Sequence, residues 1–409
     1  MIIIHAIKTH FKFDSMVLVI CIAFVLMLVI YSNTALNSAK NAINLCTEIV
    51  FPSLFPFFVV TSILSKTNFF KTAGRLLEPI MRPLFNVPGC GAFAFIIGIT
   101  SGYPVGAKIT SDLRNEKLLT RIEAERLLAF TNNSGPLFII GAIAAGMLKR
   151  PDIGIVLLIC HICACITTGI LLRLYNPKKS ILSDRIDSLA VMKKQRKLSK
   201  TCSAYNPPAW DEAFADAVSS SVMSMITISG YIVLFSVIIG LLIETGMIEF
   251  FAKIIFVFCD PSKIKFDSVI SLLSGVFEIT NAIDMEIKSS SVPFIEKVVI
   301  ASAIMGWGGF SVHMQVLSII KSTDIRISPY LFGKLLHAGF SALYTYIAFK
   351  LPYLIGDQTC SSVDDPQNIK TPLIGVLLSN PFFLFCLAAF LSVLLFMFIY
   401  FLNKKTVKE

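Results

Sequence analysis

The chain has 409 residues, of which 55% are apolar and only 15% are charged. Soluble domains are about 45–50% apolar and about 25% charged, so this composition, arranged in long apolar blocks, excludes an ordinary soluble protein. The net charge of +10 comes from 36 Lys and Arg against 26 Asp and Glu. In such a chain it indicates membrane orientation and contact with anionic lipid, and no nucleic-acid partner is expected.

The apolar segments predict helices that cross a membrane, because a span needs about 20 apolar residues. They fall at about 16–31, 42–65, 90–107, 127–148, 153–175, 217–245, 247–259, 268–283, 293–320, 328–354 and 372–402. The first segment also fits a cleavable signal, but we interpret it as an uncleaved helix.

Four segments do not fit simple spans. Two short ones interrupted by charge, 69–85 and 247–259, are typical of interfacial helices. Two others, 90–108 and 268–283, are broken by Ser-Gly and indicate re-entrant hairpins. The sequence therefore predicts an all-α polytopic membrane protein with about eight transmembrane helices plus two re-entrant hairpins.

Charge in the loops predicts the orientation of the chain. The loop 176–209 carries eight Lys and Arg against two Asp, and the positive-inside rule makes it cytoplasmic. The loop 355–371 has three Asp and one Lys, which indicates the opposite side. With an even number of spans, both termini are predicted to be cytoplasmic.

Two parts of the chain share one layout. Residues 42–148 and 217–321 each read as a span, an interfacial helix, a broken hairpin and a span interrupted by glycine. The first copy opens from outside to inside and the second from inside to outside, which predicts an inverted-topology repeat. Paired interrupted segments in such repeats point to the solute site of a transporter. The predicted units are an N-terminal helix (1–41), the first repeat with the following span (42–175), a basic cytoplasmic loop (176–216), the second repeat (217–321) and two C-terminal helices with a tail (322–409).

The first hairpin supplies Ser101, Gly102, Pro104 and Lys108 as candidate solute contacts. A turn at Gly and Pro leaves backbone groups unpaired, and such groups need an internal or ligand partner in lipid. Lys108 has two interpretations. It is either the counter-charge for an anionic solute or a lysine that snorkels to the cytoplasmic edge.

The span that follows is interrupted at Asn132, Asn133 and Ser134, ahead of Pro136. Pro136 removes a backbone donor, so we expect two half-helices whose ends and Asn amides face a solute. The alternative is a kinked helix in which the Asn side chains bond to their neighbours.

The second hairpin supplies Glu278, Thr280 and Asn281. Glu278 is a carboxylate in an apolar segment, and three functions fit it: taking up a coupling proton, coordinating Na⁺, or pairing with Lys108. The alternative is a structural ion pair without a role in transport.

The second interrupted span supplies Trp307, Gly309, Ser311 and His313. Its glycines predict an unwound stretch, and Trp307 would stack on a planar solute. His313 can titrate near neutral pH, although a lone His is more often a packed, hydrogen-bonded residue.

Other patterns give no positive signal for catalysis or a bound cofactor. The chain has no P-loop and no HExxH, and consecutive positions in Cys160–Cys165 point in different directions on a helix, so they do not close around one metal. Cysteines in apolar runs behave as small hydrophobes, so disulfides are not expected. We expect no enzyme activity, no metal and no cofactor, with H⁺ or Na⁺ as a coupling ion.

The motifs Ser101–Lys108, Thr131–Pro136, Ser274–Asn281 and Gly306–Gln315 together resemble a family of sporulation integral membrane proteins in the nucleoside-recognition Gate superfamily. That superfamily is similar to concentrative nucleoside transporters, whose solute sites lie between two re-entrant hairpins and two unwound helices. The resemblance implies a protein of the outer forespore membrane in an endospore former, which moves dipicolinic acid from the mother cell and supports spore cortex formation.

Dipicolinate is a planar aromatic dianion, and Lys108, Asn132, Asn133 and Trp307 supply the residue types that would bind it. Glu278 would repel it unless protonated or paired. Three alternatives stay open: a nucleoside or ion carrier, a non-transporting membrane scaffold for cortex assembly, and an intramembrane enzyme that uses His313 and Glu278. A homo-oligomer or other sporulation membrane proteins are the expected protein partners.

Overall fold

A computed structural model describes residues 17–65, 79–175, 210–258 and 264–354. Throughout these ranges the regular elements are helices, as the sequence predicts. The basic loop 176–209, the acidic loop 355–371, the last apolar segment 372–402 and the beginning of the interfacial segment 69–85 lie outside the described residues.

The first half of the chain builds nine helices of more than five residues within the described ranges. They are α1 (Val17–Ile30), α2 (Ser32–Leu45), α3 (Phe51–Ser65), α4 (79–85), α5 (Gly91–Ser101), α6 (Val105–Asn115), α7 (Arg121–Thr131), the π-helical α8 (Phe138–Met147) and α9 (Gly154–Leu172). A π-helical turn, Cys46–Val50, joins α2 to α3, so the two run on as one stretch.

The second half begins after the basic loop. It consists of α10 (Trp210–Glu244), α11 (Met247–Phe256), α12 (Phe266–Phe277), α13 (Ile279–Lys288), α14 (Phe294–Trp307), α15 (Gly309–Ile320) and α16 (Ile327–Leu354). Four stretches of the described chain are long and apolar enough to cross a membrane: Ser32–Val60, Pro151–Leu172, Trp210–Glu244 and Phe294–Ile320.

The two halves contain the same order of elements. Each half has a helix, a short helix, a hairpin, a broken helix and a final helix. In the first half these are α3, α4, the hairpin α5–α6, the broken helix α7–α8, and α9. In the second half they are α10, α11, the hairpin α12–α13, the broken helix α14–α15, and α16. We call these hairpin 1 and broken helix 1 in the first half, and hairpin 2 and broken helix 2 in the second. The opposite orientation of the halves stays a prediction.

The turn of hairpin 2 does not lie where the sequence predicts it. The Ser274-Gly275 pair does not break the helix, because α12 continues through it to Phe277. A Cβ on Gly275 would lie 2.8 Å from Cγ1 of Ile304, so this glycine permits close helix packing. The chain turns three residues later, at Glu278, whose backbone is extended (φ −150°, ψ 136°).

The short helix α11 fits the predicted interfacial helix. Ile248 and Ala252 are buried on its inner side, whereas Phe250, Phe251 and Ile254 are exposed. Large apolar side chains exposed side by side suit the boundary between headgroups and acyl chains.

Helix α16 lies at the centre of the described core and packs against α14, α9 and α7. Its sequence is less apolar than those of α14 and α9, and it buries four polar side chains completely: Lys334, His337, Ser341 and Thr345. Burying polar groups is costly unless they are hydrogen-bonded. The inner face of α16 therefore carries a polar stripe inside the protein.

An ion-pair network joins the two halves at one end of α7. Glu125 is fully buried and accepts from Arg326 at 2.9 Å and from Arg121 at 3.1 Å. Nearby, Arg114 of hairpin 1 pairs with Asp324 at 2.7 Å. The hydrogen bond from Arg114 holds the pKa of the Asp324 carboxyl below its usual value. These ion pairs connect the loop between α15 and α16 to hairpin 1 and to broken helix 1.

Candidate functional site

The tip of each hairpin packs against the break of the broken helix in its own half. At the tip of hairpin 1, Gly102 has φ +76°, and a Cβ there would lie 2.7 Å from the amide nitrogen of Gly135 in broken helix 1. At the break of broken helix 2, Gly309 has φ +71°, and a Cβ there would lie 3.0 Å from the carbonyl oxygen of Phe277 at the tip of hairpin 2. Only glycine fits this combination of positive φ and close backbone approach.

Both arms of hairpin 1 also lie against the backbone of broken helix 1. A Cβ on Gly98 would lie 2.9 Å from the carbonyl carbon of Thr131, and a Cβ on Gly106 would lie 2.8 Å from the same atom. Thr131 is the last residue of α7 before the break. Glycine on each arm therefore lets hairpin 1 pack directly against the end of α7.

Tyr103, at the tip of hairpin 1, connects the two halves. Its hydroxyl lies 2.8 Å from Oγ of Ser134 at the first break and donates to the carbonyl oxygen of Met305, close to the second break, at 2.9 Å. The two breaks and the tip of hairpin 1 therefore share one hydrogen-bonded junction.

A cavity with a volume of about 60 Å³ opens beside this junction. One buried water needs about 10–15 Å³ by the same measure, so the cavity has room for several. Its polar lining consists of Ser101, Tyr103, Tyr231, Glu278, Thr280, Ser311 and Gln315. Its apolar lining includes Val50, Leu54, Phe58, Leu137, Phe138, Ile228 and Ile232. Mostly apolar walls with a few convergent polar groups are typical of sites for small organic molecules.

Glu278 faces the cavity from the start of α13. Its Oε2 accepts from the backbone nitrogen of Asn281 at 2.7 Å and from Nδ2 of Asn281 at 3.0 Å. Glu278 is therefore the N-cap of α13, and the positive end of that helix offsets part of its negative charge. Asn281 holds the carboxylate in place and is not among the residues that line the cavity.

Of the predicted site residues, Ser101, Gly102, Glu278, Thr280 and Ser311 are brought together at the cavity. Gly309 and Ser134 lie at the junctions just described, and Pro104 is half-buried beside the tip of hairpin 1.

Lys108 lies apart from these residues. Its side chain is exposed and does not line the cavity, whereas Glu278 is 3% exposed. Within the described chain, the ion pairs include none between Lys108 and Glu278. The predicted counter-charge at Lys108 and its pairing with Glu278 do not match this arrangement, because Lys108 is on the outward side of α6.

The side chains of Asn132 and Asn133 bond to their neighbours, which was the alternative interpretation. Asn132 Nδ2 donates to the hydroxyl of Tyr330 at 3.1 Å, and Asn133 Nδ2 donates to the carbonyl oxygen of Phe130 at 2.6 Å. Each keeps a buried side-chain oxygen without a hydrogen-bond partner.

Trp307 and His313 also contact protein. Trp307 Nε1 donates to the carbonyl oxygen of Val276 at 3.3 Å, and its ring meets His313 edge-on at 4.5 Å between centroids. Nδ1 of His313 lies 3.1 Å from the hydroxyl of Tyr330. Trp307 therefore packs between hairpin 2 and broken helix 2, and neither it nor His313 lines the cavity.

The sequence interpretation missed Lys334, which is fully buried in α16. Its Nζ donates to the carbonyl oxygen of Asn132 at 3.1 Å, lies 3.4 Å from Nδ1 of His337, and sits 5.6 Å from the ring centroid of Tyr103. The signal was present in the sequence: an ionisable residue in the middle of the apolar segment 328–354 marks a functional site by default.

Comparisons with known proteins identify the family of the chain. Residues 47–150 match the family described as "Gate: Nucleoside recognition". The chain is 35% identical over 329 residues to the sporulation integral membrane protein YlbJ of Bacillus subtilis (strain 168), which covers 79% of each protein. The chain belongs to the YlbJ family.

Two solved structures of CNTnw are also similar to this YlbJ-family chain. A variant in an intermediate state gives a TM-score of 0.44 at 10% identity, covering 74% of this chain and 76% of that one. An inward-facing, substrate-bound state gives 0.40 at 12% identity, covering 79% and 85%. The Gate match contains α3, hairpin 1 and broken helix 1, and hence one side of the cavity in this YlbJ-family member.

Proposed function

We propose that this YlbJ-family chain is a secondary transporter that moves a small organic solute through the cavity between the two hairpins. The observation that carries this proposal is the meeting of hairpin tips and helix breaks at one cavity. Irregular backbone at membrane depth is tolerated only where protein buries it or where it lines a cavity. Discontinuous helices that meet near the bilayer midplane form the solute sites of many secondary transporters.

We propose dipicolinic acid, moved across the outer forespore membrane in support of cortex formation, as the first solute to test. The name of the Bacillus subtilis relative associates it with sporulation. Lys334 lies behind Tyr103, which lines the cavity, and supplies a buried cation that Lys108 does not. The helix start at Glu278 reduces the repulsion that this carboxylate would exert on a dianion.

A nucleoside is the second candidate, and the composition of the cavity favours it. Among the described residues that line the cavity there is no Lys or Arg, whereas hydroxyl groups, one amide and one carboxylate are present. Such groups suit a neutral polyhydroxy solute that offers both donors and acceptors. The Gate family's description as "Nucleoside recognition" points in the same direction.

The test is uptake of labelled dipicolinate and of labelled uridine into proteoliposomes that contain the purified protein. Ser311→Phe fills the cavity from its wall, because Ser311 is 3% exposed and lines it. Met314→Phe is the matched control, because Met314 is 48% exposed on the outer side of the same helix.

We expect saturable uptake of one solute, a loss of tenfold or more in Ser311→Phe, and normal uptake in Met314→Phe. Equal uptake in both variants would contradict transport through this cavity. Absence of uptake of every solute by folded wild-type protein would support the scaffold alternative instead. The proposal is of a carrier without a chemical step, so it includes no enzyme activity.

A further inference from the structure

Lys334 is buried without a counter-ion among the described residues. Its side chain is fully inaccessible, and the ion pairs of the described chain do not include it. An ammonium group in such a position costs much free energy unless its charge is compensated. The contacts of Nζ are instead a carbonyl oxygen, an imidazole nitrogen and an aromatic face.

These contacts provide hydrogen-bond partners for Lys334 both as an ammonium and as a neutral amine. As an ammonium it has three donors, which face the carbonyl of Asn132, Nδ1 of His337 and the ring of Tyr103. As an amine it keeps two donors for the carbonyl and the imidazole. Gaining or losing one proton therefore requires no rearrangement of the hydrogen bonds around Nζ.

His337 extends the site on the side away from Asn132. Its Nε2 lies 3.1 Å from the carbonyl oxygen of His161, and a carbonyl only accepts, so Nε2 carries a hydrogen. Nδ1 of the neutral ring is then free to accept from Lys334. One additional proton can be held on Nζ or on Nδ1, which lie 3.4 Å apart.

The groups that face this pair from other helices are uncharged or basic. Tyr103 comes from hairpin 1, Cys165 and His161 from α9, and His313 from broken helix 2. On α16 itself, the hydroxyl of Tyr330 bonds to Asn132 and lies near His313. None of these groups is a carboxylate, so none supplies a fixed negative charge that would hold the added proton on the Lys334–His337 pair.

Lys334 lies beside both helix breaks. Asn132 follows the last residue of α7, where the negative end of the helix favours a cation. A Cβ on Gly308, at the break of broken helix 2, would lie 3.5 Å from Cε of Lys334. A change of charge at Nζ acts directly on the two elements that must move if the cavity opens to either side.

We propose that Lys334 and His337 form a proton-binding site that couples proton movement to the transport of solute. This inference rests on the proposed transport function. One proton binds the pair from one side of the membrane, alters the attraction between Nζ and the carbonyl of Asn132, and leaves to the other side with each transport cycle. The coupling ion is then H⁺ and not Na⁺.

The experiment measures accumulation of labelled uridine and labelled dipicolinate in proteoliposomes whose interior is one pH unit more alkaline than the medium. One pH unit corresponds to about 1.36 kcal/mol, so with K⁺ and valinomycin holding the membrane potential at zero, coupling of one proton to a neutral solute gives about tenfold accumulation. Protein-free liposomes correct for passive entry of the acid. Counterflow exchange at equal pH measures solute movement without net proton transfer.

We expect Lys334→Gln and Lys334→Arg to exchange solute but not to accumulate it, so that the ratio of internal to external solute stays at about one. Arg keeps the positive charge but does not release its proton, so it separates proton transfer from a purely structural cation. Lys108→Gln, at an exposed lysine, is the matched control and accumulates as the wild type does. His337→Gln tests the same site if neither Lys334 variant elutes as a folded monodisperse species, and it also loses accumulation.

Wild-type accumulation in Lys334→Arg or His337→Gln overturns the coupling site while leaving transport intact. The coupling site is also overturned if the wild type accumulates solute in response to a Na⁺ gradient and not in response to the pH gradient. Absence of exchange of both solutes in the wild type removes the transport function, and the coupling site with it.

Discussion

Replacing Gly98 by alanine tests how closely hairpin 1 must seat on broken helix 1. The added Cβ would lie 2.9 Å from the carbonyl carbon of Thr131. Carbon atoms attract at about 3.5–4.0 Å, so the carbonyl carbon alone requires the two helices to separate by at least about 0.6 Å, and the carbonyl oxygen of Thr131, which lies closer still, requires more. The obstacle is backbone on a helix and not the end of a flexible side chain, so the strain falls at the upper end of about 1–3 kcal/mol.

Alanine also improves helix propensity by about 0.5–1 kcal/mol, which leaves a net loss of about 2 kcal/mol. Gly230→Ala is the matched control, because nothing lies within 4 Å of a Cβ at that position. We expect it to be neutral or about 0.5–1 kcal/mol more stable. The assay is the free energy of unfolding from SDS titration in mixed micelles. Equal stability of the two variants would refute the close seating of the hairpin.

Three further substitutions test the site. Tyr103→Phe removes the hydroxyl shared by Ser134 and Met305, and should lower the free energy of unfolding by about 1–3 kcal/mol in the same titration; an unchanged value would contradict the junction. Lys108→Gln should leave solute uptake unchanged, since its side chain is exposed; a large loss would restore the counter-charge interpretation. Glu278→Gln should alter the pH or Na⁺ dependence of uptake while keeping the fold, and a wild-type dependence would remove Glu278 from ion coupling.

The helical class could be predicted from the sequence because membranes restrict the fold so strongly, whereas the number of spans and the inverted repeat stay predictions. Apolar length and interruption by Gly, Pro and Asn were enough to identify the hairpin tip at Gly102 and both helix breaks. The turn of hairpin 2 was placed three residues early. Gly275 looks like a turn residue in sequence, but it serves packing against Ile304, which no local pattern reveals.

The site was predicted only in part. Ser101, Glu278 and Ser311 line the cavity, since they lie at or near the interruptions themselves, and their contact with a solute stays a prediction. The expected cation, Lys108, lies on the wrong side of its helix, and helical phase from a loosely defined turn cannot be fixed by spacing alone. The buried lysine is Lys334, on a helix outside both repeats that the sequence singled out.

The Asn side chains show a second limit. Asn132 fits both a solute contact and a structural hydrogen bond by sequence, and its partner Tyr330 is 198 residues away in the chain. Contacts over such separations depend on tertiary packing. Residue type at a helix break therefore predicts where polar groups gather, but not which of them face the cavity.

The most direct test of the account is a structure determined by electron microscopy with saturating solute, either dipicolinate or uridine according to the uptake result. The account predicts solute density between the hairpin tips, within hydrogen-bond distance of Glu278 or Thr280, with Tyr103 beside it. Solute density outside this cavity, or an occupied site that leaves the hairpin tips and helix breaks apart, would contradict it.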